Sequence, residues 1–353
     1  MMSKLRVIKA FIKLNLKKLD HNFTKFALKS FFLSNFYYLF RNKFSWEHRA
    51  VLAGKVDFNN GLVKPSANTG LLRRNIHRLE KGLLMRPRRT PFGLNYIADT
   101  VYAYERALSS NVGLDELIWA RDVLIEYMSI TPKEANIDHL RIIVQNVSKQ
   151  IKDINECERK KIPYLRLESE KPNIDYEELM KLAEYRRSVR WFLQDRVDRE
   201  IINKAIMLAA YSPTACNRQP YEFRVFDDQQ LVSEIIKLPM GTAGFGHQVP
   251  HVAVVLGKLR NYFDERDRHV IYIDGSLAIM SFINALEVQG ISSCCINWPE
   301  VPELEQKMMN FLKLDYDERP IMLIAFGYAD PEGMVANSAK KSISQLVKYN
   351  FEG

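Results

Sequence analysis

Residues 270–289 read VIYIDGSLAIMSFINALEVQ, a mostly apolar run of helical rather than strand length. The run also contains Asp274, Asn284 and Glu287, which fits a central helix buried in a protein core better than a membrane span. Gly290 follows it, the residue type that closes a helix in left-handed backbone. A buried helix of this length needs other elements to cover it, and the neighbouring sequence supplies them. Residues 176–185 and 198–210 predict helices, the second with Asp198 as N-cap. YEFRVF at 221–226 alternates like a half-buried strand, and 228–238 predicts a helix. Apolar strands are predicted at 249–256, 291–296 and 319–326, with a helix at 302–313. Helices and strands interleave without a regular βαβ rhythm, so the fold class is α+β.

The chain has 353 residues, enough for two ordinary domains or one domain with a large extension. Its net charge of +9 is not evenly spread: the first fifty residues carry eleven Lys/Arg against Asp20 and Glu47, and the remainder is neutral. The basic character therefore belongs to an N-terminal arm over 1–50. There Leu5, Ile8, Ile12 and Leu16 fall at helical spacing, with Lys4, Lys9, Lys13, Lys17 and Lys18 between them. Such a helix packs on its own protein or lies on an anionic membrane surface, so a peripheral membrane contact through residues 1–40 is one expectation. The apolar stretch Phe31 to Phe40 is too short to span a bilayer, and no clean cleavage signal follows. Nucleic acid is not expected as a partner, because no basic surface elsewhere matches the stripe.

Residues 44–70 read as a mixed, turn-rich stretch. From about 71 to 160 the pattern is mainly helical, and 152–176 is charge-dense with two prolines, a linker. The expected organisation is an arm over 1–50, a helical extension and linker over 51–175, and a chemistry-bearing domain over 176–353. Cys157, Cys216, Cys294 and Cys295 fit no zinc spacing and are expected as reduced thiols in the cytoplasm.

Two segments carry the chemistry. Arg186, Arg187, Ser188 and Arg190 put three guanidinium groups and a hydroxyl into five positions, a composition suited to a phosphate. A solvated turn with surface ion pairs is the simpler alternative for that segment alone. The second segment is the loop of Ser212, Pro213, Thr214, Asn217 and Gln219, closed by Pro220 and Tyr221. Its amides and hydroxyls can hydrogen-bond a flat heterocycle, and its prolines fix the backbone at both ends. Together the two segments describe a nucleotide-like cofactor with an anionic tail.

In order and separation these segments resemble the nitroreductase family of FMN-dependent oxidoreductases, with its R-R-S-x-R-x-F segment and later P-S-x-x-N-x-Q-P-W-like loop. Thr214 stands for the family's Ser and Tyr221 for its Trp. GISSCCINWP at 290–299 and AFGYADPE followed by Lys340 and Lys341 are two further matches, so the likeness covers about 176–345. The resemblance implies a mixed sheet flanked by helices and a homodimer with FMN at its interface. It implies that Arg186, Arg187 and Ser188 hold the FMN phosphate, with Lys340 or Lys341 closing on it, and that Arg190 reaches the pyrimidine edge. Pro213, Thr214, Asn217 and Gln219 belong to the cofactor loop, which reaches the flavin of the other subunit. Cys295, Ile296 and Asn297 lie by the ring, with a backbone N–H near N5. Many relatives have Gly where Trp298 stands, so its orientation is open between covering the substrate face and pointing away.

The expected activity is enzymatic: NAD(P)H reduces FMN, which passes the electrons to a small-molecule acceptor. No protein acid or base is assigned, since the flavin carries the chemistry. The alternatives are a flavin-dependent oxidase or dehydrogenase of another metabolite, linked by analogy with long-armed relatives to surface-polysaccharide synthesis, and a non-enzymatic, membrane-peripheral flavin-binding protein. Gly241, Gly244 and Gly246 follow a helix in the wrong order for a dinucleotide fingerprint and read as a flexible loop over the site. His247, His251 and His269 show no convergent ligand spacing, so no metal is expected. The segment 73–89 has seven Lys/Arg against Glu80; it is a solvated basic helix, or it lines the cofactor cleft or recruits an anionic substrate.

Overall fold

The computed structural model describes residues 11, 15, 19–41, 43–61, 69–133, 135–151 and 159–350. The predicted arm helix of Leu5, Ile8, Ile12 and Leu16 lies outside the described residues, as do its lysines and Cys157. The chain divides into two compact units, Met1–Arg49 and Ala50–Gly353.

In the first unit, residues 19–27 are helical and helix α1 runs Phe31–Leu39. Ser30 caps it, its Oγ accepting from Leu33 N at 3.1 Å, which satisfies one of the free N–H groups of the first turn. None of the α1 residues is buried. Asp20 accepts from Tyr37 Oη at 3.1 Å and is bridged by Arg41.

Helix α2 (Ser45–Gly61), whose residues from Ala50 onward belong to the second unit, forms where a turn-rich stretch was expected. The sequence FNNG, within that stretch, is the last turn of this helix. Ala50, Gly54 and Phe58 recur at every fourth position as its buried residues, and a methyl group at Gly54 would lie 2.7 Å from Leu259 Cβ. Close packing on Leu259 therefore holds a helix whose local sequence signals are weak. Next come α3 (Gly70–Leu83), α4 (Ile97–Leu108), α5 (Leu114–Ile130) and α6 (Ala135–Ser148). They share one core of Leu72, Ile76, Leu79, Tyr104, Leu124, Tyr127 and Leu140 among others. Residues 159–175 contain no regular element beyond the single turn at Glu168–Glu170.

The remaining elements are α7 (Tyr176–Tyr185), α8 (Arg199–Ala209), β1 (Tyr221–Phe226), α9 (Gln229–Ile235), β2 (His251–Lys258), α10 (Val270–Val288), β3 (Ser292–Asn297), α11 (Pro302–Leu312), β4 (Glu318–Gly327) and α12 (Ile343–Leu346). These agree with the predicted helices and strands to within a few residues at most ends. Asp198 caps α8, accepting from Glu200 N at 2.9 Å, and Gly290 ends α10 with φ +79°. The strands pair antiparallel in the order β1-β2-β4-β3, and the parallel component of the mixed sheet is a bridge between Ser188 and Ser293.

Side chains alternate across the sheet, so each face meets a different layer. Val252, Val254, Leu256, Ile296 and Leu323 share a core with Trp298 and Met308. Ala253, Val255, Ile324 and Phe326 pack with Phe282 and Ile283 of α10 and Ile202 of α8. By length and composition α10 could cross a membrane, but half of its most apolar window is buried within the protein. Asp274 and Glu287 are on that buried side.

Candidate active site

The segment 186–193 is extended beside the sheet because backbone bonds tie it to two strand ends. Val189 N donates to Ser293 O at 3.0 Å, and Leu193 N donates to Tyr328 O at 2.9 Å. Gln248 secures its middle: Gln248 Oε1 accepts from Phe192 N at 2.8 Å while its Nε2 donates to Arg190 O. The glycine-containing loop expected to cover the site thus supplies structural contacts as well. Thr242 Oγ1 in that loop donates to Ile236 O at 2.7 Å, and Phe245 is in the core.

Fixed this way, Arg186, Arg187 and Arg190 have no carboxylate within ion-pair distance among the described residues. Arg190 Nη1 donates to Ser188 O at 3.3 Å, and its guanidinium lies 5.9 Å from the Phe245 ring centre. Arg186 Nε and Ser293 Oγ are buried and have no hydrogen-bond partner. Leaving such groups unpaired is costly unless something else completes them. Behind them Glu287 accepts from Ser292 Oγ at 3.3 Å, and burial pushes its carboxyl above the usual range.

β3 is an edge strand. Ser293 O faces the 187–189 segment, so the two-residue backbone repeat turns Cys295 and Asn297 toward the same open edge. Their side chains are exposed while Ile296 is buried. Trp298 points away from this edge: it is buried, and its indole N–H donates to Glu305 Oε1 at 2.7 Å. That settles the orientation left open by the sequence.

The 212–220 loop has three non-glycine residues in left-handed backbone, Cys216, Asn217 and Gln219, with φ between 47° and 55°. Such conformations are uncommon and need outside support. Gln219 is wholly engaged in that support. Its Nε2 donates to Ala210 O at 2.8 Å, its Oε1 accepts from Arg73 Nη2 at 3.0 Å, and its N–H donates to Thr214 Oγ1 at 3.2 Å. Gln219 thus shapes the loop from within. Asp274 of α10 accepts from Ala215 N at 3.0 Å and from Tyr262 Oη at 3.3 Å. Burial raises the Asp274 carboxyl against the lowering effect of those two donors.

Arg73 of α3 joins the helical extension to this loop. Its Nε donates to Asn217 O at 2.7 Å, and Nη1 pairs with Glu116 of α5 at 2.8 Å. Part of the basic 73–89 segment therefore borders the 212–220 loop. Arg73, Gln248 and Asp274 had not been singled out for these roles, and no local pattern marks them.

Among the described residues, no hydrogen bond or ion pair joins 186–190 to the 212–220 loop within one chain. Lys340 and Lys341 lie in an exposed stretch without regular structure. Cys294 is buried and Cys216 half-buried. His251 is a core side chain that accepts from Val197 N at 3.3 Å and stacks on Phe326; burial holds its pKa low.

Residues 183–243 and 237–328, in the C-terminal half of the chain, match the model of the nitroreductase family. Among individual proteins, it is similar to an iodotyrosine deiodinase of Haliscomenobacter hydrossis, at 26% identity over 47% of this chain and 88% of the relative. Similar solved structures include a nitroreductase family protein from Streptococcus pneumoniae, with 20% identity and a TM-score of 0.43 over 49% of this chain and all of that one. Another is an FMN-dependent nitroreductase from Clostridium difficile, with 21% identity and a TM-score of 0.42 over 49% of this chain and 99% of that one.

Proposed function

We propose that this chain is an FMN-dependent oxidoreductase that takes reducing equivalents from NAD(P)H and delivers them to a small-molecule acceptor. The observation that carries this reading is the arginine segment. Three guanidinium groups without carboxylate partners among the described residues stand beside the outer edge of β3, and the buried Arg186 Nε and Ser293 Oγ lack partners of their own there. These residues fit the phosphate end of FMN, which needs several charge-assisted donors.

Bound FMN would supply the hydride chemistry, while the protein binds, orients and excludes water. Arg186, Arg187 and Ser188 would hold the phosphate, with Lys340 or Lys341 closing from the C-terminal side. Arg190 would place positive charge at the pyrimidine edge, which favours the reduced, more anionic flavin. The exposed edge at Cys295 and Asn297 offers outward-facing backbone N–H groups to the ring. Pro213, Thr214 and Asn217 would contact the flavin of a second copy, with Gln219 holding their loop in shape.

A homodimer is part of the same proposal. It is supported by the absence, among the described residues, of any hydrogen bond or ion pair between the two candidate segments within one chain, and by Ile273, Leu277 and Met280, which form an exposed apolar stripe on α10. Purified wild-type protein is expected to carry a flavin visible by absorbance, which NADPH bleaches without oxygen. Arg186→Ala with Arg190→Ala is expected to lose the colour while keeping its circular dichroism. Wild-type protein that stays colourless after soaking in FMN would refute the reading.

A further inference from the structure

We propose that Arg74, Arg78, Arg218 and Arg266 form a binding site for a phosphate group carried by a substrate of this enzyme. The inference rests on the oxidoreductase reading and specifies what that enzyme binds. Arg74 and Arg78 stand one turn apart on α3, so both point from the same helix face. Arg74 and Arg266 both stack on Phe263, at 4.6 and 5.1 Å from its centre. Arg218, inside the candidate cofactor loop, stacks on the adjacent Tyr262 at 4.7 Å, and Arg78 covers Tyr96 at 3.6 Å. A stacked guanidinium keeps the N–H groups at its edge free for an anion.

Counter-charge is concentrated on Arg218 and Arg266. Asp267 lies 3.6 Å from Arg218 and 3.9 Å from Arg266, and Asp274 also acts on Arg218. Glu265 is taken by Lys55 at 2.6 Å, and Asp264 accepts from Arg266 N at 3.0 Å. Arg74 and Arg78 have no carboxylate partner among the described residues. A second observation points the same way: Arg218 is only 5% exposed, and its buried Nε has no hydrogen-bond partner. Burial, followed by the neighbouring Arg78 and Arg218, lowers the pKa of Arg74.

A singly charged carboxylate would leave much of this charge unmatched, whereas a phosphate or diphosphate group accepts several bidentate contacts. Since Arg218 follows Asn217, a ligand anchored here would direct its other end toward the candidate flavin loop.

The test titrates full-length, flavin-loaded protein with pyrophosphate by calorimetry. Binding is expected in the wild type, weakened about tenfold in Arg74→Gln/Arg78→Gln with the flavin spectrum retained. Arg266→Gln, at an exposed position, is expected to weaken binding about threefold with an unchanged circular dichroism spectrum. Unchanged binding in both variants, or no binding in the wild type, overturns the site. Wild-type protein that stays colourless after soaking in FMN yet binds pyrophosphate through Arg74 and Arg78 would sink the oxidoreductase reading and leave the anion site standing. The two sources of phosphate separate in anaerobic flavin reduction. A rise in the concentration dependence for NADPH in the double variant, alone or together with one for NADH, which also carries a diphosphate, assigns the phosphate to the donor. No change for either, with pyrophosphate binding lost, assigns it to the acceptor.

Discussion

Replacing Arg73 by Ala removes three contacts at once: the bond to Asn217 O, the bond to Gln219 Oε1 and the ion pair with Glu116. Both partners of the ion pair are largely buried, with side chains 13% and 16% exposed. Glu116 has no fallback, because its Oε1 is already buried without a partner. Breaking a buried pair from one side costs about 3–5 kcal/mol, and a hydrogen bond to a charged group contributes about 1.5–3 kcal/mol. Relaxation of a site still touched by water reduces the sum, so the expected loss is about 3 kcal/mol. The same change removes one external support of a loop with three left-handed residues, so FMN affinity is expected to fall about tenfold as the loop relaxes. Urea unfolding measures the first effect and flavin titration the second. In a double-mutant cycle, Arg73→Ala and Glu116→Gln should be strongly non-additive, with a coupling of about 1–3 kcal/mol. Additive effects, or an Arg73→Ala protein as stable and as tightly flavin-binding as the wild type, would refute the clamp.

Two further expectations follow from other buried polar contacts. Trp298→Phe should cost about 2 kcal/mol by leaving buried Glu305 with only Arg319 at 3.4 Å, yet leave the flavin spectrum unchanged; an altered spectrum would place Trp298 at the flavin after all. Asp227, held by Arg199 and Arg196, has its pKa depressed to about 2. Its contribution is therefore present above the ordinary carboxylate range near pH 4 and lost as pH falls toward 2, so Asp227→Asn should lose less stability than the wild type between pH 5 and 2.5. The exposed arginines limit the difference to about 1 kcal/mol in acid unfolding, and parallel wild-type and variant curves would show that the pair contributes nothing.

The sequence by itself determined the elements whose causes are local. Asp198 and Gly290 mark helix ends through cap geometry, and YEFRVF shows its strand by alternation. The candidate phosphate segment was legible too, because three closely spaced arginines are a chemical statement in any fold. By contrast, α2 was hidden because its Ala50, Gly54 and Phe58 are explained by the surface they meet, not by helix propensity. Only the tertiary structure decided that Gln219 is engaged inside its own loop, that Trp298 turns into the core, and that Gln248 holds the arginine segment. The same is true of Arg73 and Asn217, 144 positions apart yet hydrogen-bonded, since nothing in a local pattern encodes which distant side chain will complete a carbonyl. Short-range periodicity and capping act within a few residues and can be read along the chain. Satisfying a buried polar group depends on which elements the packed core brings together, and that is settled only when the chain has folded.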